Sequence, residues 1–131
     1  MPFDGLNFGS EKLQMKRRAR DRLRTRWIQG SVSRRIRGND DVYVCIIGSV
    51  ICDEAGGIPD TRTSLMYKVL EDIEQVVLKK VRLRGFYNYN YRGEALIAKW
   101  NDHYSTTHSD VCDLMDTVVK LQEIEEFQHA E

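Results

Sequence analysis

Apolar positions along the chain fall into six blocks, and the spacing inside each block predicts an element. Met15, Ala19, Leu23 and Trp27 recur every fourth residue through Glu11–Gln29, a stretch without Gly or Pro. That spacing lines one face of an α-helix. Ser10 is placed to cap it, Glu11 suits its first turn, and Gly30 is placed to end it. Val42 to Cys52 (VYVCIIGSVIC) is β-branched, aromatic and nearly free of polar residues, the composition of a buried strand, with Gly48 marking a bulge or bend. Asp53 to Asp60 (DEAGGIPD) reads as a loop. Leu65, Met66, Val69, Leu70, Ile73, Val76 and Val77 return to helical spacing behind an N-cap at Thr63 or Ser64.

From Val81 the period becomes two. Val81, Leu83, Tyr87, Tyr89 and Tyr91 alternate with Arg82, Arg84, Asn88, Asn90 and Arg92, which predicts a strand with one polar face. Gly93 turns the chain, and Glu94 to Trp100 reads as a short strand in preference to a helical turn. A last helix starts at an N-cap on Ser109 and points Val111, Leu114, Met115, Val118, Leu121 and Ile124 inward. Its acidic end opposes the helix dipole, so the tail is expected to fray. The predicted fold is α+β. An arginine-rich arm holding a basic amphipathic helix (residues 1–37) precedes a β-α-β-β-α domain (residues 38–131), a small antiparallel sheet with two packed helices.

With 131 residues, two prolines and nine glycines, the composition is that of a globular chain. A domain of this size buries roughly two-thirds of the surface its unfolded chain exposes, enough for a core without staples. No apolar run nears the roughly 18 residues that span a bilayer. Met-Pro-Phe-Asp-Gly lacks the charged-then-apolar order of a secretory signal. Cys45, Cys52 and Cys112 are odd in number, and two lie in an apolar run, which points to reduced thiols. The expected location is intracellular, in cytoplasm or nucleus.

Charge changes the picture more than composition does. Residues 1–37 hold eleven Lys or Arg against three acids, a net +8. Residues 38–100 hold eight against nine, a net −1, and residues 101–131 hold one against eight, a net −7. Such asymmetry concerns partners and self-association. The basic head is placed to bind a polyanion, or to meet the acidic tail of its own or another copy.

Catalytic chemistry is not legible. Gly56-Gly57 lacks the Lys-Ser/Thr of a phosphate loop, and no GxGxxG occurs. The cysteines and His103, His108 and His129 stand in no zinc-ligand spacing. His103 and His108 read as solvated loop residues rather than an acid–base pair. No cofactor or metal is expected, and the chain is not expected to be an enzyme. The arginines carry the functional expectation, because guanidinium forks suit phosphate. The expected role is nucleic-acid binding, RNA favoured, through Arg17, Arg18, Arg20, Arg22, Arg24, Arg26, Arg34, Arg35 and Arg37. Tyr43, Tyr87 and Tyr89 are placed to stack on unpaired bases.

The β-α-β-β-α order, Val42-Tyr43-Val44 and Arg92-Gly93-Glu94-Ala95-Leu96-Ile97 resemble the first and third strands of RNA-recognition motifs. The chain departs from that family in lacking an aromatic at Glu94 or Leu96 and a clear fourth strand. Its layout of basic arm, strand, amphipathic helix and strand is also similar to small viral matrix proteins. That resemblance implies a self-associating structural protein that binds anionic membrane and nucleocapsid.

Overall fold

The computed structural model describes residues 9–36, 41–84 and 90–129. Their order is α1 (Glu11–Thr25), β1 (Ser33–Arg35), β2 (Val42–Val44), α2 (Ile46–Ile51), α3 (Ser64–Leu83), α4 (Glu94–Asp102) and α5 (His108–His129). Among the described residues the fold is therefore mixed α and β, with five helices and one two-stranded antiparallel sheet. The β-α-β-β-α order is corrected to one hairpin-like pair followed by four helices.

Helix α1 starts where the sequence places it, with Ser10 Oγ accepting the Leu13 amide at 3.1 Å. Leu13, Lys16, Ala19 and Leu23 are its buried positions. The helix stops at Thr25, before Gly30, because the next residues join the sheet. Val44 N donates to the Arg26 carbonyl at 2.8 Å, and Ile28 N to the Val44 carbonyl at 3.0 Å. On its other edge β2 pairs with β1 in the register Ser33↔Val44, Arg34↔Tyr43 and Arg35↔Val42. Strand β2 is thus flanked on both sides. The segment read as an arm contributes Ala19 and Leu23 to the same core as the later helices.

The apolar run from Val42 yields three residues of strand and then turns into α2. Cys45 caps that helix, its Sγ accepting from Gly48 N at 3.3 Å. A short stretch nearly free of polar residues does not reveal its period, so a buried helix and a buried strand look alike in sequence. Gly48 marks a close approach here. A Cβ at that position would stand 2.0 Å from the Val32 carbonyl oxygen, an atom that also accepts from Cys45 N.

Helix α3 is capped by Thr63 and runs on to Leu83, so Val81 is a buried helical residue and Leu83 an exposed one. The strand expected from Val81 is corrected over that stretch; Tyr87 lies outside the described residues, and Tyr91 precedes α4 in no element. The stretch Glu94–Trp100 is helix. Leu96, Ile97, Trp100 and Asn101 are all buried along α4, a one-and-four spacing that a strand cannot bury on one face. Helix α5 begins one residue before Ser109, with Thr107 and Asp110 bonding reciprocally at 2.9 and 3.1 Å. It continues to His129, past the point where fraying was expected. Val111, Leu114, Met115 and Val118 are buried as expected, whereas Leu121 and Ile124 face outward.

One buried polar side chain joins these pieces. Asn101 Oδ1 accepts from Trp27 Nε1 at 2.8 Å and from Ile46 N at 3.1 Å. Its Nδ2 donates to the Ile28 carbonyl at 3.2 Å and to Asp102 Oδ1 at 2.9 Å. Asp102 Oδ1 also accepts from Gly30 N at 2.9 Å. Each buried group left without a partner costs about 1–3 kcal/mol. Asn101→Ala is therefore expected to lower unfolding stability in urea by about 3–5 kcal/mol, near the upper end for single substitutions. A loss under about 1 kcal/mol would mean that the network does not hold the fold.

Candidate nucleic-acid interface

Arginines recur along α1, but the fold gives them different surroundings. Arg17 Nη2 lies 2.7 Å from Glu123 Oε2 on α5. Arg24 reaches Asp116 on the same helix at 3.3 Å and Asp21 at 3.5 Å. Arg20 pairs with Asp21 at 3.2 Å. Ser10, at the head of α1, donates from its backbone to Glu126 at 2.9 Å. The basic head and the acidic tail therefore meet within one chain.

Arg22 has another task. Its Nη1 donates to the carbonyls of Ser49 and Cys52 at 3.2 and 2.8 Å, and its Nη2 donates to that of Asp53. These are carbonyls at the end of α2 and just beyond it, which lack helical amide partners. A cation there also matches the negative end of the helix dipole. Arg22 is a cap, and its fork is not turned to a phosphate.

Arg18, Arg26, Arg34 and Arg35 remain. Arg18, Arg34 and Arg35 are exposed and Arg26 is half-buried. Among the described residues none of the four is in an ion pair. Arg34 sits opposite the half-buried Tyr43 across the β1–β2 pair, so their side chains share a face. Arg26 lies on the extended segment at the other edge of β2. Neighbouring extended segments are about 4.8 Å apart, which puts the backbones bearing Arg26 and Arg34 about 10 Å apart. The fold thus brings together Arg26, Arg34 and Tyr43 from the predicted set, while Arg35, opposite the buried Val42, points to the other face of β1. The fold separates Arg17, Arg22 and Arg24 from them. Arg37, Tyr87 and Tyr89 lie outside the described residues.

Other candidate chemistry is absorbed by structure. The His108 ring stacks on Trp27 with centroids 5.5 Å apart, and its Nε2 bonds the Leu23 carbonyl. His103 Nδ1 meets Ser105, 2.7 Å from its Oγ. The two histidines therefore have separate partners. Burial pushes the Cys45, Cys52 and Cys112 thiols up, away from the reactive thiolate. Among the described residues no three His, Cys, Asp or Glu side chains cluster to hold a metal ion, and no helix is long and apolar enough to cross a membrane.

Lys16 was not anticipated. Its side chain is only 3% exposed and its Nζ lies 2.7 Å from Asp72 Oδ2 and 2.8 Å from Gln122 Oε1. Lys12 reaches the same Asp72 oxygen at 2.8 Å. Burial lowers the Lys16 pKa, and the bond to Asp72 only partly offsets it. Burial alone would raise Asp72, but the hydrogen bonds from Lys12 and Lys16 outweigh it and hold the carboxyl below its ordinary value. The one sequence signal was spacing: Lys16 falls three residues from both Leu13 and Ala19, on the buried stripe.

Residues 11–121 match the model of DUF6197, a family of unknown function. No curated protein and no solved structure matches the chain.

Asp72, Asp110 and Glu126 all have lowered pKa values, so their stabilisation is complete above the ordinary carboxylate range and is lost as pH falls through the lowered values. Thermal midpoints are expected to drop below about pH 4. Lys16 works in the opposite limb, adding stability as pH rises towards its ordinary 10.5. Asp72→Asn is expected to cost about 1–3 kcal/mol at neutral pH, less than for a fully buried pair because Asp72 keeps solvent contact. It should also shrink the acid-side drop, as followed by thermal melts across pH.

Proposed function

We propose for this chain, which belongs to the DUF6197 family, a non-enzymatic role in binding nucleic acid, RNA favoured, within the reducing interior of a cell, in cytoplasm or nucleus. The observation that carries the reading is the set of unpaired arginines on and beside the sheet. Arg34 and Arg35 on β1, with Arg26 across β2, supply guanidinium forks for phosphates. Tyr43, in register with Arg34, supplies a ring on which an unpaired base can stack. Arg18 extends the cationic surface along α1, and Arg37 follows Arg35 by two residues in sequence. The contact is smaller than nine arginines would make, since Arg17, Arg22 and Arg24 already have protein partners.

A second reading is a matrix-type structural protein that self-associates and binds anionic membrane and nucleocapsid. It draws on Leu121, Ile124 and Phe127, which stand 50%, 44% and 68% exposed along the outer end of α5. Against its membrane half stands Trp27, the best apolar anchor of the basic helix, which is held by Asn101 and His108 instead.

The test is binding of labelled single-stranded RNA across a salt series. Four or five phosphate contacts predict a log–log salt slope of about −3, where nine would give about −6. Arg34→Ala with Arg35→Ala should weaken binding and flatten the slope by about 1.4, while Arg17→Ala with Arg24→Ala should leave the slope unchanged. Absence of binding at low salt, or a slope indifferent to Arg34 and Arg35, refutes the assignment.

A further inference from the structure

We propose that the cavity where α3 and α5 meet over Lys16 binds a small neutral molecule carrying one hydrogen-bond acceptor on a compact apolar body. The cavity has a volume of about 180 Å³. Val76 and Val118, both buried, and Leu121 supply its apolar lining. A dry apolar cavity of about 150 Å³ is known to accept benzene, which sets the scale of the ligand body.

The need for an acceptor comes from Lys16, whose side chain is 3% exposed. An ammonium has three N–H donors. Asp72 Oδ2 and Gln122 Oε1 take two of them, at 2.7 and 2.8 Å. Gln122 is itself buried, and its Nε2 donates to Glu126 Oε2 at 2.8 Å, which fixes its oxygen towards Lys16. Among the described residues the third donor has no partner. Lys16, Asp72 and Gln122 all line the cavity, so that donor is open to whatever enters it. A buried donor left unfilled is costly, which favours an acceptor there.

Charge balance makes the acceptor a neutral one. The charged groups lining the cavity are Lys16 and Lys79 against Asp72 and Glu125, which sum to zero. Just outside stand Lys12, 2.8 Å from Asp72, and Glu126 behind Gln122, and these two also cancel. An anion or a cation entering the cavity would lose its hydration without gaining a counter-charge. A ligand carbonyl instead accepts from Lys16 while its body lies on Val76, Val118 and Leu121. This site shares no residue with the arginine surface, and its test is independent of that reading.

Benzamide is the probe, titrated into the full chain while backbone amide shifts of Val76, Val118 and Gln122 are followed. Benzoate and benzamidinium are its anionic and cationic counterparts of the same shape, and benzene is the same body without an acceptor. Benzamide is expected to saturate with a Kd of about 1 mM, and each of the other three to bind at least about tenfold more weakly. Lys16→Met should bring benzamide down to the level of benzene. Leu121→Trp, at a half-exposed position, should block binding without touching the Lys16–Asp72 pair, so the test survives a misfolded Lys16 variant. Any of the three counterparts matching benzamide, shifts that never saturate, or undiminished binding in Leu121→Trp would each overturn the proposal.

Discussion

The Asn101 carboxamide is one small group serving four others, and the geometry of the sheet and of two helices depends on it. Its oxygen accepts from the Trp27 indole and from the first amide of α2, while its nitrogen donates to the Ile28 carbonyl beside β2. No apolar residue of similar size can satisfy all three of those buried groups. The exit of the chain from α1, the start of α2 and the end of α4 are thereby fixed relative to each other. The position of Arg26 beside β2, and so of the arginine surface, follows from that arrangement.

Charge is organised on a second principle. Taken along the chain, the basic head and acidic tail look like surfaces awaiting partners. Folded, α1 lies against α5, and Arg17 and Arg24 face Glu123 and Asp116. Exposed pairs of this kind are worth little individually, about 0–1 kcal/mol. Their larger effect is to cancel charge locally where α1 lies against α5.

At the starts of α1 and α3 sequence and structure agree: Ser10 and Thr63 cap them, and Val69, Leu70, Ile73, Val76 and Val77 are buried where their period puts them. Disagreement sits where local signals were ambiguous. The run from Cys45 to Cys52 is nearly free of polar residues, and its helix depends on the approach of Val32 to Gly48, a tertiary contact no local window contains. At Val81 the alternation of apolar and basic residues suited a strand, yet Val81 also continues the four-residue step from Val77, and the core took that option. Of the candidate site, the kind of residue was legible but not its availability. Arg22 and Arg18 look equivalent in sequence, and only the position of the α2 carbonyls distinguishes a cap from an open cation.

The packing of α1 on α5 also orders events in time. These helices are separated by more than eighty residues in sequence, from Thr25 to His108. Closing so long a loop precedes any reward from the contact, which slows folding. At a synthesis rate of about 5–20 residues per second, α1 waits several seconds for its acidic counterpart to be made. During that interval Arg17 and Arg24 have no Glu123 or Asp116 to meet, and Lys16 has neither Asp72 nor Gln122 until each is translated. The nascent chain is thus a stronger polycation than the finished one.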